Sequence, residues 1–295
     1  MIAILLNPAS GAARRPHLRD EVEALFRDAG IDTHIREIAD PRGISSAAHE
    51  ARDAHPEAVV AGGGDGTVSA VASVLAGTPT PLGVLPLGTL NHFAKDAGIP
   101  LDLPKAVQTI AARHTKRVDL ARVNDRIFIN NSSIGVYPSF VASRERLREQ
   151  GRAKWVARAL ATAEVLRRDR EVAIRLEGDR TRIAARTPFV FVGNNEYVVE
   201  GLKLGGRTRL DAGRLYAYFA PPVRTRHLPR LFAHALFGYA RRDHALQSMA
   251  GTELWVDTPL TPAINVACDG ELVMLATPLH YQSWPRALAV LVPAN

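Results

Sequence analysis

A chain whose short apolar runs alternate with helical stretches, joined by only a few residues, has few folds open to it. The first 85 residues read this way. Ile2 to Leu6 is a buried-strand run stopped by Asn7-Pro8. Arg14 to Ala29 carries apolar residues at Leu18, Val22, Leu25 and Phe26, which is helical spacing, and Gly30 is a natural stop. Thr33 to Ile38 reads as a strand, about Ile44 to Ala54 as a helix and Ala58 to Ala61 as a third strand. Val68 to Leu75 reads as a helix and Leu82 to Leu85 as a fourth strand. Alternation with short connections implies a parallel sheet covered on both faces, an α/β Rossmann-like domain. Ligands of such sheets bind beyond the carboxyl ends of the strands, where the turns at Asn7, Gly62–Thr67 and Gly88-Thr89 fall.

After Val118 the texture changes. Arg126 to Asn131, Glu171 to Leu176, Arg182 to Ala185, Phe189 to Val192, Arg214 to Phe219, Leu254 to Val256, Ala263 to Ala267 and Leu288 to Val292 read as serial short strands between turn residues. They predict an all-β, sandwich-like second domain with helical insertions at about Arg144 to Arg170 and Leu228 to Tyr239. The expected division is 1–120 for the α/β domain and 121–295 for the β-rich second domain. The 295 residues suffice for two cores. No apolar run approaches the ~20 residues of a membrane span, and the start lacks the basic region of a signal peptide. One cysteine, Cys268, excludes an internal disulfide and fits a reducing compartment, so a cytoplasmic location is expected. The net charge of +7 favours polyanions, but it also follows from Arg-rich composition, and no aromatic-interleaved basic motif supports nucleic acid.

The chemistry-bearing residues lie in turns. Gly62-Gly63-Gly64-Asp65-Gly66-Thr67 joins a strand to a helix. Consecutive glycines let backbone N–H groups approach a phosphate, and a helix N-terminus adds a favourable dipole. A carboxylate beside phosphates is repulsive unless a cation lies between, so Asp65 suggests Mg2+ shared with a nucleotide. Thr67 either caps the helix or donates to a phosphate. Taken alone, the segment has the lesser alternative of a glycine-rich turn with an aspartate N-cap, and it matches neither the P-loop nor the dinucleotide spacing. Gly88 and Thr89 offer a similar approach, with Asn91 fixing the loop or contacting the ligand. Asn7-Pro8-Ala9-Ser10-Gly11 ends the first strand.

Asn-Pro-x-Ser-Gly, Gly-Gly-Asp-Gly-Thr and Pro-x-Gly-Thr-x-Asn-x-Phe-Ala, in this order and spacing, resemble the diacylglycerol kinase catalytic-domain family, which includes bacterial lipid kinases, sphingosine kinases and ceramide kinases. The likeness continues through Asn130-Asn131-Ser132-Ser133-Ile134-Gly135-Val136, Gly151-x-x-x-Trp155, the turns Gly193-Asn194-Asn195 and Gly205-Gly206, and Asp269-Gly270-Glu271. The resemblance implies a two-domain, NAD-kinase-like fold with ATP as co-substrate. The ATP-binding residues it implies are Asn7, Pro8, Ser10, Gly11, Gly63, Gly64, Asp65, Gly66, Thr67, Gly88, Thr89 and Asn91. It also implies Mg2+ at the phosphates by way of Asp65, and a lipid hydroxyl at the membrane surface as acceptor. Asp269 would be the general base, and Glu271 would help organise the site.

One departure stands out. The family often carries Asp-Asp-Gly where this chain has Asp211-Ala212-Gly213, so the family's structural metal is not carried over. Asp211 could substitute, but one residue along a strand faces the other side of the sheet. Taken alone, Asp269-Gly270 is a hairpin turn, Cys268 a buried strand thiol, and His92 a packing residue. The competing readings are an NAD-kinase-like enzyme, which shares the glycine–aspartate turn, and a degenerate module that binds nucleotide or lipid without turnover. The identity of the lipid and homodimer formation are left open.

Overall fold

The computed structural model describes residues 1–11, 17–135, 172–179, 181–200, 203–219, 247–259 and 261–294. The two basic or apolar helices expected around Arg144–Arg170 and Leu228–Tyr239, with Gly151 and Trp155, lie outside the described residues. The chain divides into two compact units. The first holds Met1–Leu120, Thr208–Gly213 and Trp284–Asn295, and the second Ala121–Arg207 and Arg214–Ser283. Two segments from the second half of the sequence therefore join the first unit, which the reading of 121–295 as one domain did not include.

In the first unit β1 (Ile2–Leu6), α1 (Leu18–Asp28), β2 (Thr33–Glu37), α2 (Ile44–Asp53), β3 (Ala58–Gly63), α3 (Asp65–Leu75) and β4 (Leu82–Pro86) alternate as expected. Then come α4 (His92–Asp96), α5 (Leu103–Ala111) and β5 (Thr115–Val123), whose last three residues enter the second unit. The strands run parallel in the order β2-β1-β3-β4, and β1, β3 and β4 are buried throughout. Burial on both faces explains their continuous apolar runs. Helices α2 and α3 pack together, as do α1 and α5. α5 is capped by the Asp102 side chain on the Lys105 amide, with Pro104 in its first turn.

Two expectations needed correction here. Helix α3 starts at Asp65, not Val68, because Gly64 adopts an extended cap conformation and its carbonyl accepts the Val68 amide. Asp65, Gly66 and Thr67 thus form the first helical turn. Second, the run at Leu288–Val292 is no second-domain strand. It ends the long strand that packs parallel to β4 through Val290 and Leu82.

The second unit is antiparallel. After β5 come β6 (Arg126–Phe128), β7 (Asn131–Gly135), β8 (Val172–Gly178), β9 (Thr181–Thr187), β10 (Phe189–Asn194), β11 (Tyr197–Glu200), β12 (Lys203–Arg207), β13 (Leu215–Phe219), β14 (Gln247–Gly251), β15 (Glu253–Asp257), β16 (Ala263–Cys268), β17 (Glu271–Ala276) and β18 (Leu279–Leu291). One sheet has the order β14-β13-β10-β7-β16-β17, and β9, β8, β15 and the first part of β18 form another. Their inward residues, among them Val192, Phe219, Leu254, Val266 and Tyr281, share one core with Phe128 of β6, as in a sandwich. The expected single strand over Arg126–Asn131 is instead two, broken at Ile129-Asn130. Gly205-Gly206, expected in a turn, lies within β12. Among the described residues no helix is long and apolar enough to cross a membrane.

Candidate functional site

Three turns at the carboxyl ends of β1, β3 and β4 meet in the first unit. The Asn7 amide donates to the Gly62 carbonyl at 2.8 Å, and the Leu87 amide to the Gly63 carbonyl at 3.0 Å, so each turn leaves its strand against the next. The Asn7 side chain closes its own turn by accepting the Ala9 amide at 3.1 Å, and its Nδ2 donates to the buried Thr67 Oγ1 at 3.1 Å. Thr67 is thus a latch between the first turn and α3. Ser10 Oγ accepts the Gly64 amide at 3.2 Å, so this amide is already engaged by the protein.

The glycines are required by close approach. A Cβ on Gly88 would lie 2.5 Å from the Gly64 Cα, and one on Gly63 would lie 2.4 Å from Thr67 Oγ1. Gly11, at φ +96°, passes where a Cβ would be 2.7 Å from the Leu87 carbonyl oxygen. Gly66, by contrast, has nothing within 4 Å of such a Cβ and is exposed, as is Thr89 in the neighbouring turn's loop. Asn91, at φ +50°, accepts the Gly88 amide at 2.9 Å and returns a hydrogen bond to the Gly88 carbonyl at 2.9 Å. Asn91 therefore fixes its loop, one of the two roles its sequence left open. Asp65 Oδ1 accepts the Phe93 amide at 3.2 Å, tying the glycine loop to the first turn of α4. Pro8 is half-buried in the first turn, and His92, the first residue of α4, is exposed.

Asp269 and Glu271 belong to the second unit. Asp269 (φ +47°) and Gly270 (φ +88°) form the two-residue connection between β16 and β17, with positive φ at both positions as a primed hairpin turn requires. The carboxylate is more than a turn residue. Oδ2 accepts the Ile129 amide at 2.8 Å, and Oδ1 accepts those of Asn130 at 2.9 Å and Asn131 at 3.1 Å. The Asp269 amide donates back to the Asn131 carbonyl at 2.9 Å. These bonds explain why the run from Arg126 breaks into β6 and β7: the amides at the break turn to Asp269. Glu271 is largely exposed and lies 3.5 Å from Arg126. Cys268 Sγ packs 3.7 Å from Ser132 Oγ, and burial pushes the thiol up to about 11.

Sequence reasoning missed two residues. Asp119, only 1% exposed, accepts the Gly213 amide at 2.6 Å and the Arg286 amide at 2.8 Å, binding two remote segments into the first unit. A carboxylate inside the apolar run Val118-Asp119-Leu120 was the signal for it. Arg207, 5% exposed, donates from Nη1 to the carbonyls of Ile129 (2.8 Å) and Asn194 (3.0 Å), and from Nη2 to Asn130 Oδ1 (2.7 Å).

The residues around 211–213 do not fit a structural metal. Ala212 offers no side-chain ligand. Asp211 instead pairs with Arg209 at 3.2 Å and Lys116 at 3.6 Å. Partial burial works to raise its carboxyl, but the Arg209 hydrogen bond and the Lys116 charge hold it below the usual carboxylate range. A phosphate-bridged Mg2+ is a different case. It needs only one or two carboxylates plus phosphate and water oxygens, and Asp65 at the mouth of the glycine turns meets that demand.

Residues 1–123 match the diacylglycerol kinase catalytic domain, and residues 137–292 match the YegS C-terminal NAD kinase beta sandwich-like domain. A Klebsiella pneumoniae protein named "Probable lipid kinase YegS-like" is 32% identical over 99% of this chain and 97% of its own length. A Citrobacter koseri protein of the same name is 28% identical over 99% and 96%. The crystal structure of a diacylglycerol kinase from Bacillus anthracis str. Sterne superposes with a TM-score of 0.71 at 18% identity, over 99% of this chain and 96% of that one, and shares the fold. With both parts matched and a relative similar along nearly its whole length, the chain belongs to the YegS-like branch of the diacylglycerol kinase catalytic-domain family.

Proposed function

We propose that the protein is a lipid kinase that transfers the γ-phosphoryl group of ATP to the free hydroxyl of a membrane lipid, such as diacylglycerol or a sphingoid base. The observation that carries this reading is the convergence of the three turns on one glycine-lined rim, with Asp65 at the head of α3. The first-turn amides of α3 and the exposed Gly66 and Thr89 are the groups assigned to the phosphates. Asn7, Pro8, Ser10, Gly11 and Asn91 shape the rim. Bound Mg2+, which Asp65 would hold together with the phosphates, supplies neutralisation of charge on the transferred group.

Asp269 is assigned the role of general base, held in one orientation by its three amides. The acceptor oxygen bonds to the γ-phosphorus, and the bond from that phosphorus to the β–γ bridging oxygen breaks. ADP leaves with the electron pair, and the hydroxyl proton passes to the Asp269 carboxylate. Glu271, paired with Arg126, borders the same turn and is assigned a part in organising it. Because the acceptor is a membrane lipid, this reading also has the protein working at a membrane surface.

The test is incubation of the purified full chain with γ-labelled ATP, Mg2+ and a total bacterial lipid extract in mixed micelles, with NAD in a parallel tube. Label is expected in the lipid phase. Labelled NADP without labelled lipid would overturn the reading in favour of an NAD-kinase-like enzyme. ATP binding with no label transferred anywhere would overturn it in favour of a non-catalytic module.

A further inference from the structure

We infer that Arg207 is a positioning residue for Asp269, acting through the peptide group that joins Ile129 to Asn130. This rests on the reading of Asp269 as the base. One peptide unit supplies both contacts: its oxygen accepts Arg207 Nη1 at 2.8 Å, and its N–H donates to Asp269 Oδ1 at 2.9 Å. A guanidinium therefore sits at the negative end of a peptide dipole and a carboxylate at the positive end. Both contacts are favourable, and screening is weakest at the buried Arg207 end, Asp269 being half-buried. The next peptide group repeats the pattern. The Asn130 carbonyl accepts the Tyr197 hydroxyl at 3.2 Å, while the Asn131 amide donates to Asp269 Oδ1 at 3.1 Å.

Residues 129 and 130 fall between β6 and β7, outside the strands, and their peptide groups are oriented by Arg207 together with Asn194, whose Nδ2 donates to the Ile129 carbonyl at 3.0 Å and whose amide donates to the Asn130 carbonyl at 2.9 Å. Arg207 does this with a planar fork reaching three acceptors, on Ile129, Asn194 and Asn130 Oδ1. The Tyr197 ring lies 5.5 Å from the guanidinium and limits where the fork can go. Turning the 129–130 peptide would remove one of the three amides from Asp269 and leave its Oδ1 with the longer Asn131 contact alone.

The experiment compares Arg207→Gln, Arg207→Lys and Asp269→Asn with the parent full-length protein. It reads the ATP dissociation constant, kcat and KM with γ-labelled ATP and the lipid extract, and amide hydrogen exchange over residues 126–133. R207Q is expected to lower kcat about tenfold or more, with the ATP dissociation constant and lipid KM within about twofold of the parent. The Asn130 and Asn131 amides should exchange faster in R207Q, and R207K should recover part of kcat. A residue that only stabilised the fold would lower the folded fraction and leave the kcat of folded molecules unchanged; that result, or parental kcat in R207Q, overturns the inference. If R207Q does not fold, R207K decides: it keeps the charge but loses the fork, and parental kcat overturns the inference whereas reduced kcat at unchanged KM supports it. Failure of the underlying reading looks different, since D269N would then retain turnover. An inactive D269N beside a fully active R207Q sinks the Arg207 inference alone.

Discussion

The two units build their sites in opposite ways. In the first, side chains hold backbone: Asn7, Ser10 and Asn91 direct their polar atoms at the loops, and the surface left over is main chain. In the second, backbone holds a side chain, with three successive amides converging on Asp269. A site made of main chain is specified by where a Cβ cannot go. A site made of one oriented carboxylate is specified by charge and hydrogen bonding. Substitutions should therefore fail for steric reasons in the first unit and for electrostatic reasons in the second.

The largest effect expected from this contrast is at Asp269. Asn would place an NH2 group against one of the incoming amides, so D269N should lower turnover by about 10²–10⁴-fold and stability by about 1–3 kcal/mol. ATP affinity, read by calorimetry, should stay unchanged, because no contact of the glycine rim is touched. A D269N protein with normal turnover would break the contrast at its second half. Next in size is Gly88→Ala, whose Cβ would meet the Gly64 Cα. The collision is between two backbones and cannot be relieved by a rotamer, so a loss of about 1–3 kcal/mol in denaturant titration is expected, with weaker ATP binding.

Gly66→Ala sharpens the same point. The added methyl meets nothing in the protein, so the melting temperature should hold while the KM for ATP rises about tenfold, the phosphate being what the methyl would strike. Unchanged KM would remove Gly66 from the phosphate site. A smaller effect concerns Cys268. Its thiol, raised by burial to about 11 from 9.0, should resist a water-soluble thiol reagent at pH 8 until the protein is unfolded. Because the folded value is the higher one, this group's contribution to stability is complete below pH 9 and is lost as pH rises towards 11. Smallest of all is Glu271→Gln. It removes an exposed ion pair with Arg126, and the change in melting free energy should stay within about 0.5 kcal/mol; any larger loss would have to appear in kcat.

What could be read from the chain follows from which interactions are local. Strands β1, β3 and β4 announce themselves because burial on both faces makes each a run of apolar residues, and the glycine turn lies where one such run gives way to a helix. The extent of α3 was misjudged because Asp65-Gly66-Thr67 are poor helix formers, and the helix begins there only because Gly64 caps it. Non-local pairings left weaker traces. Leu288–Val292 looks like any strand, and nothing in it tells that Val290 lies beside Leu82. Asp269 was legible as a motif residue, but its three amides were not, since they depend on β7 pairing with β16. Arg207 was legible only as one more arginine in an Arg-rich chain.

Strand β18 carries a consequence for how the molecule can be made or cut. It begins in the second unit and finishes in the first, where Val290 stands against Leu82 on the flank of β4. A fragment ending at residue 120 would leave that flank uncovered, an open strand edge of the kind that recruits other chains. During synthesis the same holds for a growing chain. The sheet of the first unit is complete only once Trp284–Asn295 has been made. A chain cut before residue 284 therefore leaves the flank of β4 open, however complete its first 120 residues are.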